Sequence, residues 1–364
     1  MTRSSAADGG AQAAWRGLLD LLRGADTSFL DWDQAGELQP VDVAEGYRYL
    51  LHLLRYGVDF MVESDPQRPR FVEMANEVTK VFGDNRDTRY HYTHIDGGDT
   101  YRIVGNRGDA CYLSFQSHRG PDRGSPAQRT TDNLNMTRID FGPTGDFDIL
   151  VGRDRVDGDW LRLDDDATCV ISREYYLDPV NDQRARFEIQ PLSRPGPPPP
   201  LTVASMADRL TALTAFIASA QQMGGPPPVK EWNVYQEPWR FSGDIPAWGT
   251  PDNTYARCYF RLADDEALVI TGQTVPCAYW GLQLWNIYTQ TLDYRDHTVS
   301  LNGRELAVDS AGGFEVVLAH EDPGVPNWLD TAGHHIGAVF VRWLCAEQQP
   351  SRPVARVVKL AEVR

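Results

Sequence analysis

Between Gly145 and Arg173 the chain carries a pattern that returns near its C-terminus, and this recurrence limits the fold more than any other feature. The first copy opens GDFDILV, passes Trp160-Leu161 and ends in CVISREYY; the second opens GGFEVVL, passes Trp328-Leu329 and ends in IGAVFVRWL. Phe147 to Trp160 is 13 residues and Phe314 to Trp328 is 14; Trp160 to Arg173 is 13 and Trp328 to Arg342 is 14. The echo extends upstream. Tyr101-Arg102-Ile103 returns as Phe260-Arg261-Leu262, Tyr112 to Gln116 as Tyr279 to Gln283, and Asp87-Thr88-Arg89-Tyr90 more loosely as Asn253-Thr254-Tyr255. Landmarks that keep their order and spacing predict two related domains, with Phe147/Phe314 and Trp160/Trp328 as core and Arg173/Arg342 as buried anchors.

The hydrophobic period says what those domains are made of. Apolar residues recur at three and four in Ala11–Arg23 and again in Val43–Val62, where Tyr47, Leu50, Leu51, Leu54, Val58 and Met61 form a stripe. Glu45, Arg48, His52, Arg55 and Asp59 fall opposite it and read as a solvated face. Residues 1–10 are small and polar and read as unordered. From about Arg70 the period becomes two, in short runs rich in β-branched and aromatic residues separated by turn signals. LSRPGPPPP at 192–200 is a stiff linker, followed by a helix from Thr202 to about Gln222. The expected fold is mainly β: two tandem antiparallel β-sandwich or jelly-roll-like domains, with N-terminal helices and one inter-domain helix. The expected segments are 1–66 (tail and helices), 67–191 (first β domain), 192–250 (linker, helix and aromatic loop) and 251–364 (second β domain).

Charge narrows the partners. With 51 acidic against 35 basic residues the net charge is −16, which opposes nucleic acid and anionic membranes, since both need a basic field. Five cysteines form no CxxC pair and suit a reducing cytoplasm. The N-terminus lacks a signal-peptide core, and no apolar run is long enough to span a bilayer. A small-molecule ligand is the expected partner, and self-association into a homo-oligomer stays open.

At the segments GDNRDTRYHYTHIDGGDTYRI and ACYLSFQSH the chain resembles the family of domains of unknown function numbered 1254, with its Asn-x-Asp-Thr-x-Tyr pattern followed by two strands. From Ala278 to Leu344, including GGFEVVLAHEDPGVPNWL, it is similar to the partner family numbered 1214. The two likenesses cover about two thirds of the chain. They imply tandem β-sandwich or jelly-roll domains and no established reaction.

Chemistry must therefore come from the residues. Alternation puts Arg173 on one face with Cys169, Ile171 and Tyr175, and Arg342 with Ile336, Ala338, Phe340 and Leu344. An arginine on an apolar face needs an acceptor. Either each holds a carboxylate such as Asp87, or it binds an anionic ligand group bidentately. His91 and His94 are three apart on a strand and so face opposite ways, unlike two ligands of one ion; His334-His335 fails for the same reason. No protein-bound metal or cofactor is expected. Asp164-Asp165-Asp166 and Asp264-Asp265-Glu266 lie in turns before strands and read as solvated. No GxSxG, HExxH, P-loop or Rossmann pattern is present.

His118 draws attention because the copies differ there: Tyr112, Ser114, Gln116 and His118 correspond to Tyr279, Gly281, Gln283 and Trp285. A histidine near Asp87 and Tyr90 suits proton transfer. One reading is a cofactor-independent enzyme, an acid/base isomerase or cyclase, lyase or hydrolase acting on a largely apolar, lipid- or terpenoid-like substrate. His118, Asp87, Tyr90 and Arg173 would be its catalytic groups, with Asn85, His91, His94, Trp232, Trp239, Trp248 and Arg342 around the substrate. The other reading is a non-catalytic β-sandwich module that binds a lipophilic or glycan ligand. Convergence of His118, Asp87 and Tyr90 beside a closed cavity would favour the enzyme.

Overall fold

The computed structural model describes residues 5–28, 30, 36, 38–119, 129–193, 196–224, 228–243, 245 and 249–363. Its first β domain contains β1 (Val72–Ala75), β2 (Thr88–His94), β3 (Tyr101–Asn106), β4 (Tyr112–Arg119), β5 (Arg129–Asn135), β6 (Asp146–Gly152), β7 (Trp160–Arg162), β8 (Ala167–Tyr175) and β9 (Arg186–Pro191). The second contains β10 (Trp239–Arg240), β11 (Asn253–Arg261), β12 (Glu266–Gln273), β13 (Tyr279–Trp285), β14 (Ser300–Asn302), β15 (Gly313–Ala319), β16 (Trp328–Asp330), β17 (Ile336–Leu344) and β18 (Val354–Lys359). One sheet of each domain runs β1-β2-β8-β4-β5 and β10-β11-β17-β13-β14; the other runs β7-β6-β3-β9 and β16-β15-β12-β18. Adding nine to every strand of the first domain reproduces the second. The described residues form a tandem pair of nine-stranded β-sandwiches. The short pairs β6–β7 and β15–β16 are parallel in both, so the antiparallel expectation fails at that one edge.

Alternation along the five-stranded sheets decides which side packs inward. Leu113 and Phe115 of β4 and Val170 of β8 meet Ile103, Ile149, Val151 and Ile189 of the opposite sheet. Leu282, Leu284, Val339 and Val341 meet Leu268, Ile270, Val316 and Leu318 in the second domain. Phe147 and Phe314 are buried in these cores. The two tryptophans of the repeat are only half-buried: Leu161 and Leu329 fill the interior beside them, while Trp160 donates to the Gly152 carbonyl and Trp328 to that of Ala319. A residue and its neighbour on a strand point to opposite faces, so the leucine takes the core and the indole closes the sheet edge.

The helices are α1 (Ser5–Ser28), α2 (Pro40–Gly57), continued by a π turn at Val58–Val62, and α3 (Val203–Gly224). Helix α1 starts within the stretch expected to be unordered. On α2 the buried face is Tyr49, Leu53 and Tyr56, while Tyr47 and Leu51 of the expected stripe are exposed. His52 is half-buried rather than solvated; its Nδ1 lies 3.0 Å from Gln290 Nε2 and 3.1 Å from the Lys80 carbonyl. The reason is that α2 is wedged: α3 packs on one side and the second domain touches the other, where Glu45 bonds Asn286 and His334. Together the helices cover Tyr92, Cys169 and Ile171 on the outer face of the first domain's larger sheet.

The rest of that outer face meets its counterpart on the second domain. Two hydrogen bonds, related by the repeat, cross between them. Tyr279 donates to Asp87 Oδ2 at 2.7 Å, and Tyr112 donates to Asp252 Oδ2. Asp87 and Asp252 are equivalent positions, as are Tyr112 and Tyr279, so the contact is reciprocal. Arg86 adds a paired contact to both oxygens of Glu305, at 2.7 and 2.8 Å.

Candidate functional site

Where the two outer faces leave room there is a cavity of about 210 Å³, lined by Phe82, Gly83, Tyr90, Arg173, Tyr175, Met223, Trp239, Phe241, Gly249, Asn253, Tyr255, Trp285, Phe340 and Arg342. Strand register explains the set. Tyr90 stands opposite Arg173 across β2–β8, and Tyr255 stands opposite Arg342 across β11–β17. Each domain therefore contributes one tyrosine–arginine row. Phe340 and Trp285 stack at 4.1 Å to form an apolar wall, and Trp239 meets the edge of Phe340 at 5.8 Å.

Arg342 is 4% exposed. Its Nη1 donates to Tyr90 Oη at 3.3 Å and its Nη2 to the Gly83 carbonyl at 3.2 Å. Its guanidinium lies over Phe340, Tyr255 and Trp285, at 5.6 to 5.9 Å from the ring centroids, distances at which a cation is attracted to a ring face. Nε has no hydrogen-bond partner. Among the described residues no carboxylate stands in ion-pair contact with it, and the buried Asp84 feels its charge only at longer range. The carbonyl that meets it comes from a strained turn: Phe82 and Gly83 have φ of 56° and 73°. Glycine tolerates this, whereas a phenylalanine there costs about 1–3 kcal/mol. Arg173 is equally buried and donates to the side-chain oxygen of Gln116. Asp87 holds neither of these arginines, contrary to one of the two expectations, because Arg86 Nε already binds Asp87 Oδ1 at 2.9 Å.

The electrostatics are one-sided. No carboxylate or imidazole is present among the described lining residues. Burial raises the Tyr90 phenol well above its usual pKa, and raises that of Tyr255 as well. Both stay protonated at neutral pH, able to donate hydrogen bonds but not to act as bases. Two arginines and neutral phenols form a socket for negative charge with an aromatic back wall.

Of the residues singled out in the sequence, Tyr90, Arg173, Trp239 and Arg342 line the cavity. Asn85 and Asp87 lie at the inter-domain contact, where Asn85 Oδ1 accepts the Asp87 N–H at 2.8 Å and Asp87 is bound by Arg86 and Tyr279. His91 turns to the other face, 2.8 Å from Glu174 Oε1. His94 packs toward the helices, with Nδ1 2.8 Å from Ser64 Oγ. His118 is fully buried beside Cys169, three rows from Tyr175, and burial followed by the Arg173 charge pushes its pKa down to about 3. Trp232 lies outside the lining, under the Arg261 guanidinium. Trp248 lies outside the described residues. Among the described residues no hydrogen bond joins any two of His118, Asp87 and Tyr90.

Tyr175, Tyr255, Trp285, Phe340 and Asn253 were not singled out. Part of the signal was present: Tyr175 follows Arg173, and Phe340 precedes Arg342, by two residues on the same strand face. What no spacing could supply is that these two faces oppose each other.

No family model matches the chain, and no curated protein does. Among solved structures it is similar to an uncharacterized protein from Burkholderia cenocepacia, with 30% identity and a TM-score of 0.90, over 98% of this chain and 100% of that one. It is also similar to a protein from Vibrio parahaemolyticus, 13% identical over 86% of this chain and 97% of that one, with a TM-score of 0.49. Likeness of the first kind, over the whole of both chains, places the protein in the family of the Burkholderia cenocepacia protein.

Proposed function

We propose that the protein binds a small organic anion between its two β domains, a carboxylate carried on a compact apolar or aromatic body. The observation that carries this reading is Arg342: buried, wrapped by three rings, without an ion-paired carboxylate and with Nε unanswered. A buried cation without a counter-ion costs several kcal/mol, and a planar carboxylate is the group whose geometry matches a guanidinium. The cavity of about 210 Å³ is smaller than the roughly 300–1,000 Å³ that takes drug-sized ligands, so the ligand is of one-ring size.

The reading of an acid/base isomerase, cyclase, lyase or hydrolase draws less support. Asp87 is engaged by Arg86 and Tyr279, and His118 is sealed away from the cavity. What supports it is Tyr90, whose protonated phenol stands beside Arg342 where it could give a proton to a bound anion.

The test is calorimetric titration of untagged protein with single-ring and short-chain carboxylates, each matched against its own primary amide. At least one carboxylate should bind tenfold or more tighter than its amide, and native mass spectra should show an anion that Arg342→Met no longer carries. Equal binding of every acid and amide, with no such anion, would sink the proposal.

A further inference from the structure

A second cluster lies at one end of the second sandwich, away from the cavity lining. Asp264 sits in the turn between β11 and β12, His320 directly follows β15, and His335 directly precedes β17. Each offers one ligand atom, and the three atoms lie within 4.8 Å of one another. His335 Nε2 is 3.3 Å from Asp264 Oδ1, and the two imidazole centroids are 4.8 Å apart. We propose that Asp264, His320 and His335 form a binding site for a divalent first-row transition-metal ion.

Three observations carry this. His320 Nε2 is buried and meets no partner in hydrogen-bond geometry, although the Leu262 backbone acts on the ring, and such a nitrogen is costly unless something fills the position. Its other nitrogen, Nδ1, is 2.7 Å from Thr331 Oγ1, the kind of outer contact that fixes a ring for ligation. The separations also suit a small ion. Ligands at 2.0–2.2 Å around a tetrahedral centre stand roughly 3.4 Å apart, so a set spread over at most 4.8 Å needs to contract by no more than about 1.4 Å, and the exposed Asp264 side chain is free to move. Two imidazoles with one carboxylate favour zinc, iron or cobalt over calcium or magnesium, which prefer all-oxygen sites.

The two domains differ here in a telling way. The first-domain equivalents of Asp264, His320 and His335 are Gly97, Arg153 and Asp166. There a Cβ on Gly97 would sit 2.3 Å from the Asp164 carbonyl, and Arg153 pairs with Asp165. The first sandwich thus carries a glycine, an ion-paired arginine and an aspartate at these positions, whereas the second presents a carboxylate and two imidazoles. Adjacent histidines still point apart, as strand geometry requires, with His334 bound to Glu45 at 3.0 Å; His335 finds its companions on other loops.

The experiment is titration of untagged, EDTA-treated full-length protein with Co²⁺, read by its visible ligand-field bands, followed by displacement with Zn²⁺. One equivalent should bind. His320→Ala and His335→Ala should each weaken binding by at least ~100-fold, the upper end of what loss of even an outer-shell partner does, and Asp264→Asn by about 10-fold. No saturable band in the wild type overturns the proposal. So does an unchanged band in a folded His320→Ala/His335→Ala double variant, or in Asp264→Asn, whose exposed side chain carries no fold.

Discussion

Arg173 and Arg342 stand at the same position in two copies of one domain, and each faces a tyrosine across the sheet. Their surroundings separate them. In the first domain the next row supplies Gln116, whose amide oxygen accepts from Arg173. In the second domain the same row holds Gln283 opposite Phe340, yet the Gln283 amide oxygen has no hydrogen-bond partner, and Arg342 reaches out of its own domain to Tyr90 and Gly83. Duplication thus delivered the same cation twice, and the neighbours made one internally satisfied and the other dependent on what the partner domain and a ligand provide. A residue kept in both copies can serve one site jointly when the copies face each other.

The first way to test this comparison is to separate the domains. Asp87 is fully buried between Arg86 and Tyr279, whereas its equivalent Asp252 is half-buried among Tyr112, Asn133 and Asn135. Asp87→Ala leaves the partly buried Arg86 with Glu305 alone and the buried Tyr279 phenol without its acceptor, and should cost about 3 kcal/mol in urea unfolding. Asp252→Ala should cost about 1 kcal/mol. Equal losses would mean that the reciprocal contact is energetically symmetric.

Next comes the pair of arginines. Arg342→Met should weaken binding of the carboxylate probe on the order of 100-fold, about 3 kcal/mol, and Arg173→Met about 10-fold. Arg342→Met should melt no lower than the wild type, because an apolar side chain of similar length relieves the desolvation of a cation that has no carboxylate in ion-pair contact. A large drop in Tm would instead make Arg342 a structural anchor.

A pH titration contrasts His118 with its counterpart, Trp285. The folded His118 imidazole refuses a proton until about pH 3, mainly because it is buried, while the unfolded one protonates below its ordinary value of 6.5. The unfolded state then binds more protons, so stability falls as pH drops from 6.5 toward 3, by about 2 kcal/mol at pH 5. His118→Leu should remove that part of the slope; an unchanged slope would show that His118 titrates freely. The smallest effect is expected from Tyr90→Phe, which deletes the acceptor for Arg342 Nη1 and should weaken the carboxylate probe about fivefold, close to 1 kcal/mol. Turnover lost with affinity intact would favour the enzyme reading.

Much of the architecture was legible because it rests on local rules. Residues alternating along a strand share a face, so Cys169, Ile171, Arg173 and Tyr175 could be grouped without coordinates. His91 and His94 could likewise be assigned to opposite sides. The site was legible only in part. The contrast between His118 and Trp285 drew attention to the histidine, while the structure lines the cavity with the tryptophan and seals the histidine away. On α2 the stripe through Tyr47 and Leu51 was a valid period of three and four, but the helix has neighbours on more than one side, and the period does not say which stripe they choose.

By itself the sequence determined two copies of a β domain, the residues that share each strand face, and an arginine that both copies place on an otherwise apolar face. Only the tertiary structure decided that these faces oppose each other across a cavity, that Asp87 joins the domains, and that His335 meets His320 and Asp264 from separate loops. The physical reason is range. Side-chain direction follows from backbone geometry within a few residues, whereas the partner across an interface is chosen by the fit of whole surfaces, and no spacing along the chain records that choice.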